Sequence, residues 1–387
     1  MPRVVILGAG MIGSTMTADL ARDASLDVTV VDVGEHRLAR VAASVGRLTG
    51  RTIATIRADL TVESEVARVV DGADVVLGAL PSGMGLQTLR RVIEAGRHYV
   101  DISFMPENPL ILDGLAASQG VVAIVDCGVA PGLSNLLAGW AARRLAAVDV
   151  IEILVGGLPV ERRWPFQYKA AFSPADVIEE YTRPARLVEN GRLVTRPALS
   201  EPELVDFDGV GTLEAFNTDG LRTLIDTLRV PTMREKTLRY PGHVELMRVL
   251  REAGYFSPTA ITVGDVQVRP LDLTSTLLFP LWTYEEGDAD LTVMRVRASG
   301  EDGRGRMMRL EWTLHDRFCH ATGQTSMSRT TAFPATIMAR AILNGRIARR
   351  GILPPERLAD DDGLVHHVLR ELADRGVRVV ESMYPVE

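Results

Sequence analysis

The sequence predicts an α/β protein: a Rossmann-type doubly wound parallel sheet, followed by an α+β domain with a largely antiparallel sheet. Three observations support this. The 387 residues are enough for two domains with separate cores. Early in the chain, short apolar runs alternate with stretches of helical periodicity, as in a parallel sheet covered by helices. After about residue 135, strands mix with irregular pieces that contain Pro and Gly.

The first element, RVVILGAG, is an apolar run typical of a strand buried on both faces. Gly8, Gly10 and Gly13 follow with the G-x-G-x-x-G spacing. In a dinucleotide site the first glycine permits a tight turn, the second lets the backbone approach a pyrophosphate, and the third lets helix and strand pack closely. The next stretch, MIGSTMTADLARD, predicts a helix whose N-terminus offers free N–H groups to the phosphates.

The second strand, DVTVVD, ends in Asp32. A carboxylate at this position accepts hydrogen bonds from the adenosine ribose hydroxyls and repels a 2′-phosphate. Val33 and Gly34 follow it and supply no cation. The complete strand–helix–strand pattern therefore predicts a Rossmann fold that binds NAD rather than NADP.

The later strands of the predicted parallel sheet are TIATIRADL, ADVVLGALPSG, RHYVDISF and VVAIVDCG. Open parallel sheets bind ligands outside the carboxyl ends of their strands, so the residues there are expected to meet the cofactor. The predicted cofactor contacts are Gly8, Gly10, Met11, Ile12, Gly13, Asp32, Asp59, Leu60, Leu80, Pro81, Ser82, Gly128 and Val129.

The second half of the chain predicts a different architecture. The run LTVMRVRASGEDGRGRMMRLEWTLHD predicts two strands around a Gly-rich turn, and from about residue 332 the pattern is helical again. We predict a Rossmann NAD-binding domain over residues 1–128, a substrate-binding and oligomerisation domain over residues 129–331, and a C-terminal helical segment over residues 332–387.

Composition argues against several classes of function. A net charge of −7 without a Lys- or Arg-rich block gives no sign of binding to nucleic acid or to a membrane. Two cysteines, and an N-terminus that enters a strand at once, predict a cytoplasmic protein. His315, Cys319 and His320 lie on a predicted strand or its end and have no second Cys pair beside them, so no metal is expected.

Several longer motifs are spread along nearly the whole chain: GAGMIG, YVDIS, APGLSN, LPVERRWPFQYKAAFS, NTDGLRTL, TLRYPGH and the ending TTAFPATIMARAILNGRI…GILPPE. Together they resemble the saccharopine dehydrogenase-like family, and most closely its L-lysine 6-dehydrogenase branch. The resemblance implies an NAD(P)-dependent enzyme that acts on amino groups. It also implies a C-terminal segment that packs back on the Rossmann domain, and a homo-oligomer.

The loop VDCGVAPGLSN departs from the saccharopine-forming branch, which typically has an Asp before the Pro-Gly and then a His. Ala130 and Asn135 occupy those places. The leading hypothesis is NAD-dependent oxidation of the ε-amino group of L-lysine to 2-aminoadipate 6-semialdehyde, which cyclises to 1-piperideine-6-carboxylate, with release of ammonia. The alternatives are a saccharopine or carboxy-polyamine dehydrogenase of the same family, and a non-catalytic NAD(H)-binding regulator.

The implied reaction needs a neutral amine and a cation for the substrate α-carboxylate. Arg239 is the candidate carboxylate clamp, with a structural ion pair as the alternative. His243, in the same loop, is a candidate base, although a lone loop histidine is more often structural. Lys169 would lower the pKa of the substrate amine or act as a base; the alternative is a solvated lysine.

The remaining candidates lie at strand ends or in aromatic clusters. Asp126 is a third catalytic candidate, while Asp101 and Ser103 are candidates for binding substrate, because they follow strands at the predicted cleft near the nicotinamide. The alternative for each carboxylate is that it caps a loop. Trp164, Tyr168 and Phe172 are candidates for an apolar wall along the lysine stem, and core packing is the alternative.

Overall fold

A computed structural model describes residues 1–170, 173–285 and 287–386. In its first part, strands and helices alternate: β1 (Arg3–Leu7), α1 (Met11–Ala21), β2 (Asp27–Asp32), α2 (Glu35–Thr49), β3 (Ala54–Arg57), α3 (Glu63–Val70), β4 (Val75–Gly78), α4 (Gly85–Glu94), β5 (His98–Asp101), α5 (Asp113–Ser118) and β6 (Val122–Ile124). These strands and β17 (Gly351–Ile352) form a seven-stranded parallel sheet in the order β17-β6-β5-β4-β1-β2-β3.

The central strand β1 shows why these apolar runs form a buried sheet. Val4 and Ile6 point into the core on one face, and Val5 and Leu7 point into the core on the other. All four side chains are fully buried. Strand residues alternate between the two faces of a sheet, so a continuous apolar run requires cover on both sides. The helices supply this cover.

The second part of the chain forms a nine-stranded mixed sheet with helices around it. Its elements are α6 (Leu133–Arg144), β7 (Ala147–Pro159), α7 (Pro174–Thr182), β8 (Ala185–Glu189), β9 (Arg192–Arg196), β10 (Glu203–Phe207), β11 (Gly211–Asn217), α8 (Leu224–Thr227), β12 (Thr232–Arg239), α9 (His243–Glu252), β13 (Ile261–Val263), β14 (Val266–Val268), α10 (Pro270–Trp282), β15 (Asp290–Glu301) and β16 (Met307–Arg317). The strands β13 and β14 form a separate small hairpin.

The main order of this sheet is β10-β11-β12-β7-β15-β16 and then a C-terminal strand, with β8 paired to β12 and β9 paired to β8. Its pairs are antiparallel except β12 with β7. The predicted hairpin is confirmed: β15 and β16 pair from Leu291 opposite Arg317 to Glu301 opposite Met307. The predicted fold class, a parallel Rossmann sheet plus a largely antiparallel second sheet, is also confirmed.

The C-terminal segment differs in detail from the prediction. Its elements are α11 (Ser326–Leu343), β17, α12 (Pro355–Leu358), α13 (Asp362–Asp374) and β18 (Val379–Pro385). The long helix α11 begins at residue 326, six residues before the predicted start at 332. It begins there because Thr325 caps it and Asp290 accepts hydrogen bonds from its first N–H groups. The segment is also not purely helical: β17 extends the parallel sheet, whereas β18 extends the mixed sheet beside β16.

Within the described residues, no helix combines the length and the apolar character that crossing a bilayer requires.

Candidate active site

A cavity of about 660 Å³ lies at the carboxyl ends of the parallel strands and extends to the mixed sheet. The parallel sheet contributes the glycine loop and the ends of β2, β3 and β4. The mixed sheet contributes β12 and the glycines of β7. This position, outside the carboxyl ends of an open parallel sheet, is where such folds bind ligands.

The glycine loop has the shape that the sequence predicts for a pyrophosphate cradle. Gly8 has a φ of +105°, and a Cβ there would lie 2.3 Å from the carbonyl oxygen of Ala79. A Cβ on Gly13 would lie 2.0 Å from the carbonyl oxygen of Gly8, so α1 packs closely on β1. A Cβ on Gly10, by contrast, would meet no atom within 4 Å. Gly10 therefore borders open space at the N-terminus of α1, which suits a phosphate group.

Asp32 is held in place at the end of β2. The N–H groups of Ala9 and Gly34 donate to its two carboxylate oxygens over 2.8 and 2.7 Å. Arg37, in the first turns of α2, lies 3.5 Å from the same carboxylate and lines the cavity. Val33 and Gly34 supply no cation, as the sequence analysis states. Arg37, which that analysis did not consider, lies beside Asp32 because the first turns of α2 return to the site.

Most of the predicted cofactor contacts line this cavity. They are Gly8, Gly10, Met11, Ile12, Asp32, Asp59, Leu60, Leu80, Pro81, Gly128 and Val129. Two predicted contacts do not line it. Gly13 faces the backbone of Gly8, and the Ser82 hydroxyl donates instead to Asp176 (2.7 Å) and Glu179 (3.1 Å) on α7. The residues that line the first part of the cavity fit a dinucleotide.

Arg239 lines the other end of the cavity, at the end of β12. It forms an ion pair with Glu180, and its guanidinium lies 4.5 Å from the ring centre of Tyr168. Its Nε also donates to the Tyr181 hydroxyl over 3.3 Å. Burial disfavours its charge, but Tyr168, Tyr181 and Glu180 keep the pKa of Arg239 above its ordinary value. Arg239 is therefore a charged residue that forms an ion pair with Glu180 and also contacts the cavity.

Sequence reasoning missed Glu235, which lies in the wall of the cavity four residues before Arg239. Its Oε2 accepts hydrogen bonds from the Thr218 hydroxyl (2.5 Å) and the Gly220 N–H (3.1 Å). Burial raises the pKa of Glu235 to about 8, although the Thr218 hydrogen bond opposes that rise. Strand periodicity offered a signal, since Glu235, Thr237 and Arg239 share one face of β12 and all line the cavity.

Two further carboxylates at this end were also missed. Asp176 and Glu180 line the cavity from α7, a helix that the sequence analysis did not single out. Asp176 accepts from Ser82, and Glu180 pairs with Arg239. Burial raises the pKa of Glu180, and Arg239 opposes that rise. The predicted candidate Ser103 also lines the cavity, where its hydroxyl donates to Asp101.

The structure does not place Lys169, a predicted catalytic candidate, in the cavity wall. Its ammonium donates to the Thr283 carbonyl oxygen over 3.0 Å and forms an ion pair with Asp288. The side chain is buried by these contacts and does not line the cavity. An ammonium held in this way is not available to a substrate amine.

His243, the predicted base, also lies outside the cavity wall. Its Nε2 lies 2.9 Å from the Tyr181 hydroxyl, and its Nδ1 lies 2.9 Å from the Phe166 carbonyl oxygen. Burial, together with the nearby charge of Arg239, lowers the pKa of His243 to about 3. With both ring nitrogens engaged and no place in the cavity wall, it has a structural role.

Asp126 and Asp101 are buried behind the cavity wall rather than in it. Asp126 pairs with Arg222 at 3.2 Å, and burial raises its pKa despite that arginine. Asp101 accepts hydrogen bonds from Ser103 and Tyr99, and burial raises its pKa to about 6. The structure therefore does not bring Asp126 or Asp101 into the cavity wall, where the sequence predicts them to act.

Of the predicted aromatic wall, the two residues that the structure describes do not line the cavity. Trp164 is 89% exposed, so it does not line a substrate pocket. Tyr168 is buried beneath Arg239 and does not itself line the cavity. Phe172 lies outside the described residues. The apolar lining near the nucleotide end comes instead from residues such as Met84, Phe104 and Met327.

Comparison with known proteins agrees with this architecture. Residues 4–124 match the family model "Saccharopine dehydrogenase NADP binding domain", and residues 128–377 match "Saccharopine dehydrogenase C-terminal domain". The chain is 21% identical, over the full length of both proteins, to saccharopine dehydrogenase [NADP(+), L-glutamate-forming] of Schizosaccharomyces pombe. It is 26% identical to alpha-aminoadipic semialdehyde synthase of Arabidopsis thaliana, over 54% of this chain and 21% of that protein.

A solved structure shows the same fold. Apo saccharopine dehydrogenase (L-Glu forming) from Saccharomyces cerevisiae superposes with a TM-score of 0.79 at 20% identity, over 99% of this chain and 100% of that one.

Proposed function

The chain belongs to the saccharopine dehydrogenase family, and within that family of oxidoreductases we propose that it catalyses NAD-dependent oxidative deamination of the ε-amino group of L-lysine. The products are 2-aminoadipate 6-semialdehyde, which cyclises onto its own α-amine, and ammonia. The curated relatives named above are saccharopine and aminoadipic semialdehyde enzymes, so the choice of lysine rests on the cavity itself.

The observation that carries this proposal is the balance of charge at the β12 end of the cavity. Asp176, Glu180 and Glu235 supply three carboxyl groups there, whereas Arg239 is the cation among the described lining residues at that end. Lysine has two amines and one carboxylate, which matches this excess of acidic groups. Saccharopine has three carboxylates, and these would face carboxylates of the protein without enough cations to neutralise them.

Arg239 supports binding of a single substrate carboxylate. A guanidinium has five N–H donors, and the protein directs four of them to Tyr181, Leu238, Tyr168 and Glu180. One donor remains for a ligand in the cavity. This supports one carboxylate contact rather than the several that saccharopine would require.

The nucleotide end supports NAD as the preferred cofactor. NAD would lie against the glycine loop with its adenosine ribose at Asp32, and it would accept the hydride from substrate. The buried carboxylate of Asp32 opposes a 2′-phosphate, while Arg37 beside it would partly offset that repulsion. We therefore propose a preference for NAD over NADP rather than complete exclusion, although the relative from S. pombe carries NADP(+) in its name.

The proposal is tested by following NADH at 340 nm with L-lysine and NAD at alkaline pH. Parallel reactions contain saccharopine, a carboxylated polyamine, ornithine, or lysine with NADP, and o-aminobenzaldehyde traps the cyclic imine. We expect lysine to exceed saccharopine by at least about 100-fold in kcat/KM, because unmatched buried charge costs several kcal/mol. Faster turnover of saccharopine or of the polyamine would overturn the choice of lysine. NAD binding without any turnover would support the regulator alternative.

A further inference from the structure

The carboxyl group of Glu235 differs from the other carboxyls in the cavity wall by its partners. Glu180 is paired with Arg239, and Asp176 is hydrogen-bonded to Ser82. Glu235 is buried, with only 3% of its surface exposed. No Lys or Arg among the described residues forms an ion pair with it. A buried carboxyl without a protein cation is costly, and such groups concentrate where a ligand supplies the missing charge.

The hydrogen bonds to Glu235 leave one of its oxygens for a ligand. The two that the structure shows, from the Thr218 hydroxyl and the Gly220 N–H, both end on Oε2. Oε1 is therefore the oxygen available to a molecule in the cavity. Gly220 permits this arrangement, because a Cβ there would lie 2.3 Å from the Glu235 carboxyl carbon.

A hydroxyl pair fixes the direction of this carboxyl. The hydroxyls of Thr218 and Thr237 lie 2.8 Å apart, and both residues line the cavity with Glu235. Thr237 lies between Glu235 and Arg239 on the same face of β12. The strand thus presents, at successive cavity-facing positions, a carboxyl, a hydroxyl and a guanidinium. The first matches an ammonium and the last matches a carboxylate, which are the two ends of an amino acid with a distal amine.

We propose that Glu235 accepts the proton of the substrate's ε-ammonium group before hydride transfer, with Thr218 and Gly220 holding its carboxylate in position. This assignment rests on the proposed function. An N–H bond of the ammonium breaks, and an O–H bond forms on Oε1, which leaves a lone pair on nitrogen. That lone pair is the one that forms the C=N bond when C6 loses a hydride, for which bound NAD would be the acceptor. Water then converts the iminium to the aldehyde with release of an ammonium ion.

The electrostatics agree with this geometry. A carboxyl whose pKa is about 8 is a stronger base than an ordinary glutamate, and it lies close to the pH at which a proton acceptor works best. His243, Lys169 and Asp126, the other candidates, do not line the cavity. Since the carboxylate form is the active one, kcat/KM should rise as the pH passes through about 8.

The test compares wild type with Glu235→Gln between pH 7 and pH 11, with lysine and NAD. At pH 8 we expect the variant to be about 10²–10⁴-fold lower in kcat/KM. This deficit should shrink as the pH passes the ordinary amine pKa of about 10.4, because the substrate then arrives already neutral. A merely structural defect would not be rescued by pH. The matched control is Glu356→Gln, a buried glutamate outside the cavity wall, which should keep the wild-type pH profile.

The outcomes separate this assignment from the proposed function. A Glu235→Gln variant that stays folded and equally impaired at every pH overturns Glu235 as the proton acceptor while lysine oxidation stands. If wild type oxidises saccharopine or a polyamine instead, lysine is wrong as substrate, and the same pH series with that amine decides the role of Glu235. A wild type that oxidises none of these amines overturns both.

Discussion

At the scale of single residues, burial and partners determined which titratable groups belong to the site. The sequence singled out Arg239 from its motif and the geometry of its guanidinium, and the structure places this residue in the cavity wall. It could not exclude His243 or Lys169. Their partners Tyr181 and Asp288 are 62 and 119 residues away in the chain, so no local pattern shows that these polar groups are already satisfied.

The first prediction concerns His243. His243→Phe removes the hydrogen bonds of the imidazole to the Tyr181 hydroxyl and the Phe166 carbonyl oxygen, while Arg239 still donates to Tyr181. We therefore expect a loss of about 1–3 kcal/mol in the free energy of unfolding at pH 7.5. The variant should keep kcat for lysine within a few-fold of wild type, because His243 is outside the cavity wall. Urea unfolding and steady-state kinetics measure the two effects.

The pH dependence of the same variant gives an independent check. The pKa of His243 is lowered to about 3, so the unfolded state takes up a proton as the pH falls below about 6.5 while the folded state does not. Wild type therefore loses stability from this residue between about pH 6.5 and pH 3, and His243→Phe does not. The difference in unfolding free energy between wild type and His243→Phe should therefore become smaller as the pH falls. The exposed His36, changed to Phe, serves as control, and a gap that widens on acidification would contradict the low pKa.

At the scale of elements, the sequence predicted helices and strands best where an element packs against the elements next to it in the chain. The β1–α1–β2 unit follows from its apolar runs and glycine spacing, and the β15–β16 hairpin follows from alternation around a Gly-rich turn. The start of α11 was missed because its first N–H groups bond to Asp290, which is 36 and 37 residues earlier. Strand β18 was missed because its pairing with β16 is a long-range contact.

The second prediction separates the roles of two glycines in one turn. Gly13→Ala places a methyl group 2.0 Å from the Gly8 carbonyl oxygen, so α1 must shift from β1. We expect a loss of about 1–3 kcal/mol in unfolding free energy, together with weaker NADH binding. Gly10→Ala meets no protein atom within 4 Å, so its stability should match wild type while its NADH affinity falls.

Both effects are measurable without turnover. NADH affinity is followed by its fluorescence, and stability by denaturant unfolding. Equal loss of stability in the two variants would contradict the open space at Gly10. Unchanged NADH binding in Gly10→Ala would place the pyrophosphate elsewhere.

At the scale of the whole molecule, the C-terminal segment connects the two sheets. Strand β17 pairs with β6 of the parallel sheet, and β18 pairs with β16 of the mixed sheet. Helix α11 packs against α1 and also contributes Met327 and Thr331 to the cavity wall. The cofactor cradle and the substrate end are therefore fixed relative to each other by residues that come last in the chain. The homo-oligomer and the cytoplasmic location expected from sequence stay predictions.

The third prediction concerns the ionic contact that fastens α11 to α1. Asp19, which is buried on α1, pairs with Arg340 at 2.7 Å and with Arg375 at 2.9 Å. Burial alone would raise the pKa of Asp19, but the two arginines and the Thr336 hydroxyl lower it below its ordinary value. Asp19→Asn removes the charge that Arg340 is paired with, whereas Arg375 keeps its ion pair with Glu371. We expect the unfolding free energy to fall by about 3–5 kcal/mol, as for other broken buried pairs.

This loss should have a second consequence, because α1 also carries the phosphate end of the cofactor site. A loosened α1–α11 contact should weaken NADH binding even though Asp19 is not in the cavity wall. Asp27→Asn, an exposed aspartate at the start of β2, is the control and should match wild type. The stability that Asp19 provides is present above its ordinary pKa and disappears as the pH falls through its lowered value, so the two proteins should converge in strong acid. Equal unfolding midpoints for Asp19→Asn and wild type at pH 7 would show that the α1–α11 contact is maintained by apolar packing rather than by this ion pair.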